Sequence, residues 1–351
     1  MIVLLEPICC GWVHEEVNAG MLKLVDECTD DKIIYIGEKE QVRCISKLYK
    51  SHKICYQYYT DLIEGTEVDC YKSIFYYYKL IENIIVKRRP TEIIILGAYR
   101  PCILAAVIQA KIHRRKKFIV VLHGMVEENK GKSNSYRNLF RLSETCNNLS
   151  FLTFSPHCSN KYWGLDNNKI MFIHHPYIKA DVKRNGCRLH KKKIIGIIGA
   201  CANPKAKTLI AQMNAMHLEF PYEFYIMSRF GDKFRGIENV KVIGLSSERL
   251  EMEKQMQDMD CILLLYDKSE YTVSASGVLW DAISNEVFCF MLNSPYFEYY
   301  KEYVSGIVVD NLNEMKEKLC EFICNKNVVE KDAISTMNFD EHNYMVMKRL
   351  L

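Results

Sequence analysis

The chain has no Cys-x-x-Cys pair and none of the Cys/His spacings that a zinc site needs, which excludes metal-clip folds although cysteine itself is plentiful, at 15 residues. Those thiols are scattered (Cys9, Cys10, Cys28, Cys44, Cys55, Cys70 and onward) and read as reduced, mostly buried side chains of a cytosolic protein, not as a disulfide framework. Proline and glycine are sparse, at 8 and 16, while 49% of residues are hydrophobic and 26% charged, so disordered and fibrous classes are excluded. Long apolar runs are missing too: the longest candidate, 93–112, is broken by Arg100, Pro101 and Gln109, and no membrane span is expected. The opening "MIVLLEPICCGW" lacks a basic n-region and reaches Glu6 after a few apolar residues, which predicts a first strand and not a signal peptide. Nor is there an excess of one charge. Lys and Arg total 47 against 43 Asp and Glu, and a net +4 is too small to imply a nucleic-acid partner. An Asp-x-Asp motif in a plausible loop is also lacking, so no metal and no resident cofactor are expected.

What is present is alternation. At 351 residues the chain exceeds a single core, and two domains of roughly 150–200 residues are expected. Continuous apolar runs bounded by turn residues predict strands at 1–6, 32–37, 52–57, 92–97, 118–123, 149–155 and 170–176, with helices near 14–28, 39–49, 70–89, 101–115, 134–146 and 156–163. The polar, basic stretch 178–193 has no apolar period and reads as a linker. Alternation then restarts, with strands at 193–200, 222–228, 240–245, 261–267, 287–292 and 306–310, helices near 205–219, 247–258 and 311–325, and a further helix within the stretch 274–292. The expectation is α/β: a doubly wound first domain over 1–177, a second over 194–330, and a C-terminal helix within 331–351 that packs back on the first. Open sheets of this kind bind ligands at the carboxyl ends of their strands.

Two turns in the second half carry anion chemistry. The strand ending in Gly199, Ala200, Cys201 and Ala202 opens onto a helix, and small side chains let backbone N–H groups approach a phosphate. Lys205 falls in the first helical turn, where the helix dipole disfavours a cation that lacks an anionic partner. It is either a pyrophosphate ligand or a solvated surface lysine. In "SASGVLWDAISNEVFCFML" (274–292), Ser274, Ser276 and Gly277 precede a helix, so their hydroxyl and N–H groups either bind a second phosphate position or Ser276 caps its own helix.

The segments "IIGIIGACANPKAKTLIAQM", "ENVKVIGLSSERLEMEKQMQDMDCILLLYD" and "SGVLWDAISNEVFCFML", in this order, resemble the GT-B fold nucleotide-sugar glycosyltransferases, most closely the large retaining group that includes many polysaccharide and lipopolysaccharide enzymes. The resemblance implies two Rossmann-like domains facing across a cleft, the first binding acceptor and the second nucleotide sugar. It puts Lys205 in the place of the family's lysine. The arginine often found just after the glycine is Ala200 here, leaving Arg229 as an alternative cation, and the resemblance groups both with Gly199, Ser274, Ser276 and Gly277 at the donor diphosphate. Of the family's two glutamates eight positions apart, the second falls on Asp281, either a ribose ligand or a local structural acid, and the first falls on Val273.

In the first half, "CCGWVHEEVNAGML" is similar to the family's loop after the first strand, with Gly11 for a glycine pair and with His14, Glu15 and Asn18 in or just beyond the loop. "VVLHGMVEEN" places His123 and Gly124 at a strand end, where the family lines its cleft. His123 either contacts the sugar or activates an acceptor hydroxyl, or it is structural. Adjacent His174 and His175 are expected on a strand, facing opposite ways, one core and one hinge.

The implied activity is transfer of a sugar from a nucleotide-diphosphate sugar to a hydroxyl of a glycan or lipid-linked glycan, pointing to surface polysaccharide biosynthesis, in the cytoplasm and at the inner face of the membrane. The alternatives are a nucleotide-sugar 2-epimerase of the same fold, or an inactive nucleotide-sugar-binding protein. The basic clusters 87–89 and 113–117 either complement helix C-termini or meet an anionic membrane.

Overall fold

The computed structural model describes residues 1–59, 70–123, 133–165, 168–179, 192–244, 249–267, 269–324 and 339–351. Gly124, most of the 178–193 stretch and residues 331–338 lie outside the described residues. The chain divides into two compact units. One comprises Met1–Ile178, Thr272–Ala275 and Asn338–Leu351, and the other Lys179–Tyr271 and Ser276–Met337.

The first unit is a seven-stranded, wholly parallel sheet: β1 (Ile2–Leu5), β2 (Ile33–Glu38), β3 (Ile54–Tyr59), β4 (Glu92–Ile95), β5 (Lys117–Leu122), β6 (Leu149–Thr153) and β7 (Ile170–Phe172), in the order β3-β2-β1-β4-β5-β6-β7. Ile2 pairs with Ile33 on one side and Glu92 on the other, so the strand order reverses at β1. The helices are α1 (Glu15–Cys28), α2 (Lys39–Leu48), α3 (Ile74–Arg88), α4 (Arg100–Ile112), α5 (Ser133–Ser143) and α6 (Asn160–Trp163). Strands covered on both faces need no polar alternation, and β1 is buried along its whole length. Val3, Leu5, Ile93 and Ile95 pack on one face against Tyr77 and Ile81 of α3 and Ile103 and Val107 of α4. Gly20, inside α1, is where the backbone of 176–177 comes closest: a Cβ there would lie 2.6 Å from the carbonyl carbon of Pro176.

The second unit repeats the design with six parallel strands, β8 (Lys193–Ile198), β9 (Tyr222–Met227), β10 (Val240–Ile243), β11 (Cys261–Leu264), β12 (Phe288–Leu292) and β13 (Gly306–Val309), ordered β10-β9-β8-β11-β12-β13. Its helices are α7 (Pro204–Asn214), α8 (Arg249–Gln257), α9 (Gly277–Ser284), α10 (Pro295–Tyr300) and α11 (Leu312–Ile323). The helix expected to reach 219 stops at Asn214, and His217 just beyond takes a left-handed φ of 46° that no α-helix accommodates. Helix α10 was not anticipated, although Ser294 caps it through the Phe297 N–H and Pro295 opens it.

Two later stretches complete the first unit. In Thr272–Ala275, Val273 joins the apolar cluster of that unit, and Thr272 O accepts a hydrogen bond from Ser155 Oγ at 3.4 Å. Helix α12 (Phe339–Leu350) packs on α1, and its Asn343 side chain clasps the His174 backbone, accepting from the N–H at 2.7 Å and donating to the carbonyl at 2.9 Å. His174 and His175 do diverge, but off the strand, which ends at Phe172. His174 lies against Phe172, Phe339 and His342, while His175 lies against His123 and Phe154, so both are buried in one unit.

Candidate functional site

In the second unit the carboxyl edge of the sheet is built around the point where the strand order reverses, between β8 and β11. Gly199, directly after β8, has a left-handed φ of 58° that a larger residue would hold only under strain, and its carbonyl accepts from Ser228 Oγ at 2.7 Å. A Cβ on Gly199 would meet Val278 Cγ2 at 4.0 Å, and one on Gly277 would meet nothing within 4 Å. The glycine turn and the first turn of α9 therefore lie side by side with open space before both. Backbone N–H groups unblocked by side chains, at the start of an eight-residue helix, form an anion-receptive surface.

Asn203 starts α7. Its Oδ1 accepts from the N–H groups of Lys205 and Ala206, and its Nδ2 donates to Leu265 O at 2.8 Å, tying the helix start to the end of β11. This places Lys205 with its Nζ donating to Tyr266 O at 3.0 Å and paired with the Asp267 carboxylate. Lys205 borders a pocket of about 450 Å³ lined also by Tyr266, Asp267, Ser269, Asn293 and Asp310, beyond the ends of β11, β12 and β13. Arg229, at the end of β9, is exposed and lies over the Phe230 ring, 4.9 Å from its centroid, with no ion pair among the described residues.

Three expected ligands have other occupations. Ser276 is 0% exposed and its hydroxyl caps α9 through the Leu279 N–H at 3.4 Å. Ser274 is buried and belongs to the first unit. Asp281, on the buried side of α9, accepts from Arg249 Nη1 at 2.7 Å, and Arg249 Nε donates to Glu253 at the same distance. The Arg249–Glu253 contact is legible as an i, i+4 pair. Nothing in the sequence links either residue to Asp281, 32 positions away from Arg249.

In the first unit the loop after β1 is held from beneath. Glu6, fully buried, accepts from the Ile8 and Cys9 N–H groups and from Asn18 Nδ2. Asn18 is thus a buttress for the loop and not a lining residue. Gly11, at a φ of 59°, donates its N–H to Glu38 at 3.1 Å. Glu15 is half-buried in the first turn of α1. His14 occupies the N-cap position of that helix in a left-handed conformation without a side-chain cap, with Nδ1 3.2 Å from Cys9 Sγ and its ring centroid 4.5 Å from that of His123.

His123 follows β5 and is 7% exposed. Burial pushes its pKa well below the ordinary histidine value, and His14 and His175 push the same way, so the ring is neutral near pH 7. Its Nδ1 has no hydrogen-bond partner among the described residues. Among the described residues no set of three His, Cys, Asp or Glu side chains is arranged to hold a metal ion, and no helix is long and apolar enough to cross a membrane.

The sequence matches no protein-family model and no curated protein. The likeness appears in structure. Sucrose-phosphate synthase from Thermosynechococcus elongatus superposes with a TM-score of 0.67 at 8% identity, covering 100% of this chain and 98% of that one. Anabaena Alr3699/HepE in complex with UDP-glucose gives 0.62 at 10% identity, over 99% and 94% of the two chains. A structure assigned as a UDP-N-acetylglucosamine 2-epimerase from Listeria monocytogenes gives 0.60 at 10% identity, over 99% and 94%. With its seven- and six-stranded parallel sheets matched end to end in this way, the chain has the GT-B fold, the fold of nucleotide-sugar glycosyltransferases.

Proposed function

We propose that the protein transfers a sugar from a nucleotide-diphosphate sugar to a hydroxyl of a glycan or lipid-linked glycan, with the donor held by the second unit and the acceptor by the first. The observation that carries this reading is the pairing of the Gly199 turn with the open first turn of α9 at the carboxyl edge, with Lys205 in the helix that follows the turn and Arg229 just after the neighbouring strand β9. As the bond from the anomeric carbon to the diphosphate oxygen breaks, charge grows on that oxygen, and backbone N–H groups with two cations stabilise it. The Gly277 backbone takes the role expected of the serine hydroxyls, since Ser276 is occupied as a cap. Asp281, engaged by Arg249 on the buried side of α9, is left out of this reading, and the ribose is assigned no side-chain partner. His123, neutral and with no hydrogen-bond partner at Nδ1 among the described residues, contacts an acceptor hydroxyl in this reading. Positive charge from the protein makes the reaction metal-independent, so activity is expected to survive chelation by EDTA.

The 2-epimerase reading draws on the likeness to the Listeria structure, and the inactive-binder reading on Val273, an apolar core residue where the resemblance expects a sugar-contacting acid. Incubation with a panel of nucleotide sugars and acceptors, followed by product analysis, separates the three. Transfer is the expected outcome; an epimerised donor or unchanged donor would contradict it. The first unit also carries a basic pocket of about 540 Å³ at the opposite, amino edge of its sheet, lined by Arg89, Arg114, Arg115 and Lys116, and in this reading it meets the anionic inner face of the cytoplasmic membrane. Flotation with phosphatidylglycerol vesicles, lost when 113–117 are neutralised, is expected; unchanged flotation would remove this contact.

A further inference from the structure

Helices α7 and α11 of the second unit pack on one another, and three sulfur atoms meet near their carboxyl-terminal ends. Met213 lies in the last turn of α7 and is fully buried, while Met216, three residues on, is 43% exposed. The Met216 N–H donates to Met213 O at 3.0 Å, which prolongs the turn enough to keep both side chains on one face, and His217 then leaves it with a left-handed φ of 46°. From α11, the half-buried Cys320 brings its Sγ to 3.7 Å from Met213 Sδ and 3.6 Å from Met216 Sδ. A thiol has a single, weakly donated proton and thioethers are weak acceptors, so hydrogen bonding accounts for at most one of the two contacts. Apolar packing of the helices needs no sulfur at any of these positions. Two thioethers converging on one thiol point instead to an ion that all three can share.

The ligands select the ion. Thiolate together with thioether sulfur suits Cu(I), whereas zinc needs four Cys, His or carboxylate ligands, and among the described residues not even three are placed to hold it. Three sulfurs bonded at roughly 2.3 Å in a trigonal plane stand about 4 Å apart, close to the two separations present, so small side-chain rotations complete the geometry. Charge also balances. One thiolate neutralises one Cu(I) and the thioethers add nothing, which keeps the desolvation cost of a half-buried site low. Burial and the neighbouring Cys324 push the Cys320 pKa up, so the thiol carries its proton near pH 7; the ion takes that proton's place at Sγ, and the proton passes to water. The exposed side chain of Met216 marks the entry path. We propose that Cys320, Met213 and Met216 form a Cu(I) site that clips the end of α11 to the end of α7. Because α7 follows β8 and α11 follows β13, both helices run back to the amino edge of the sheet, so the site lies away from the Gly199 turn and does not depend on the transfer reaction.

With 15 cysteines in the chain, total Cu(I) uptake does not report on one site, but the methionine methyl groups do. The full-length reduced protein, isotope-labelled at its methionine methyls, is titrated under argon with Cu(I) buffered by bicinchoninate, with Zn(II) as the control. The resonances of Met213 and Met216, assigned through Met213→Leu and Met216→Leu, are expected to shift together and saturably with Cu(I) and to stay in place with Zn(II). Cys320→Ser is expected to abolish both shifts, and Cys10→Ser, at an exposed thiol, to leave them unchanged. Met216→Leu, at an exposed position that leaves the fold intact, is expected to weaken the Cu(I) affinity read from Met213 by about tenfold or more, since a ligand counts for no less than an outer-shell partner. No shift of either methyl, a shift of only one, an equal shift with Zn(II), shifts that survive Cys320→Ser, or an unchanged affinity in Met216→Leu would overturn the proposal.

Discussion

At the scale of single residues, histidines set the acid limit of the fold. His174 lies among Phe172, Phe339 and His342, and burial, with a smaller push from His342, lowers its pKa to about 3. His123 is shifted the same way. In the unfolded chain both bind a proton below pH ~6.5, whereas the native protein excludes it until far lower pH, so the unfolded state holds more protons in between. Stability is therefore complete above pH ~6.5 and falls as pH drops below it, by up to about 1.4 kcal/mol per pH unit for each histidine. Urea titrations at pH 7.5, 6.5 and 5.5 are expected to show this decline, and His174→Phe to flatten it; an equal slope in the variant would contradict the assignment.

Residue chemistry was the least legible part of the sequence. Lys205 and Gly199 were readable because a glycine turn and a lysine-led helix are local features, and the structure confirms their local geometry. What escaped is tertiary: Val273 sits in the core of the first unit, Arg249 reaches Asp281 across 32 positions, and the Lys205 ammonium is met by Asp267. No spacing rule encodes partners that the fold brings together.

Among elements, strands buried on both faces announce themselves as apolar runs, and all thirteen described strands fall within or beside the predicted ones. Most of the expected carboxyl ends are too long, as at Phe154–Ser155, where the side chains stay buried after the ladder has ended, whereas β2 and β3 run past theirs. Order within the sheet was not readable, since β1 beside β4 and β8 beside β11 are pairings of distant segments. Gly20 shows how packing overrides propensity. Alanine suits a helix interior better by up to about 1 kcal/mol, but here its Cβ would strike the backbone of 176–177. Gly20→Ala is expected to destabilise the protein by roughly 1–3 kcal/mol in urea unfolding; a stabilised variant would show that the approach is looser than the structure has it.

For the whole molecule, the proposed function makes the second unit a diphosphate receiver that works through backbone N–H groups and two cations. Its central claim is tested most directly by a thermal-shift titration of the wild type and Lys205→Ala with the diphosphates of uridine, guanosine and adenosine and their sugars. A ligand that binds only the folded state at 100 times its Kd stabilises by about 2.7 kcal/mol, so one nucleotide series is expected to raise Tm in the wild type. Loss of a charged hydrogen bond worth about 1.5–3 kcal/mol is expected to weaken that ligand roughly 10- to 100-fold in Lys205→Ala. No shift with any nucleoside diphosphate, or the same titration curve in both proteins, would contradict the account.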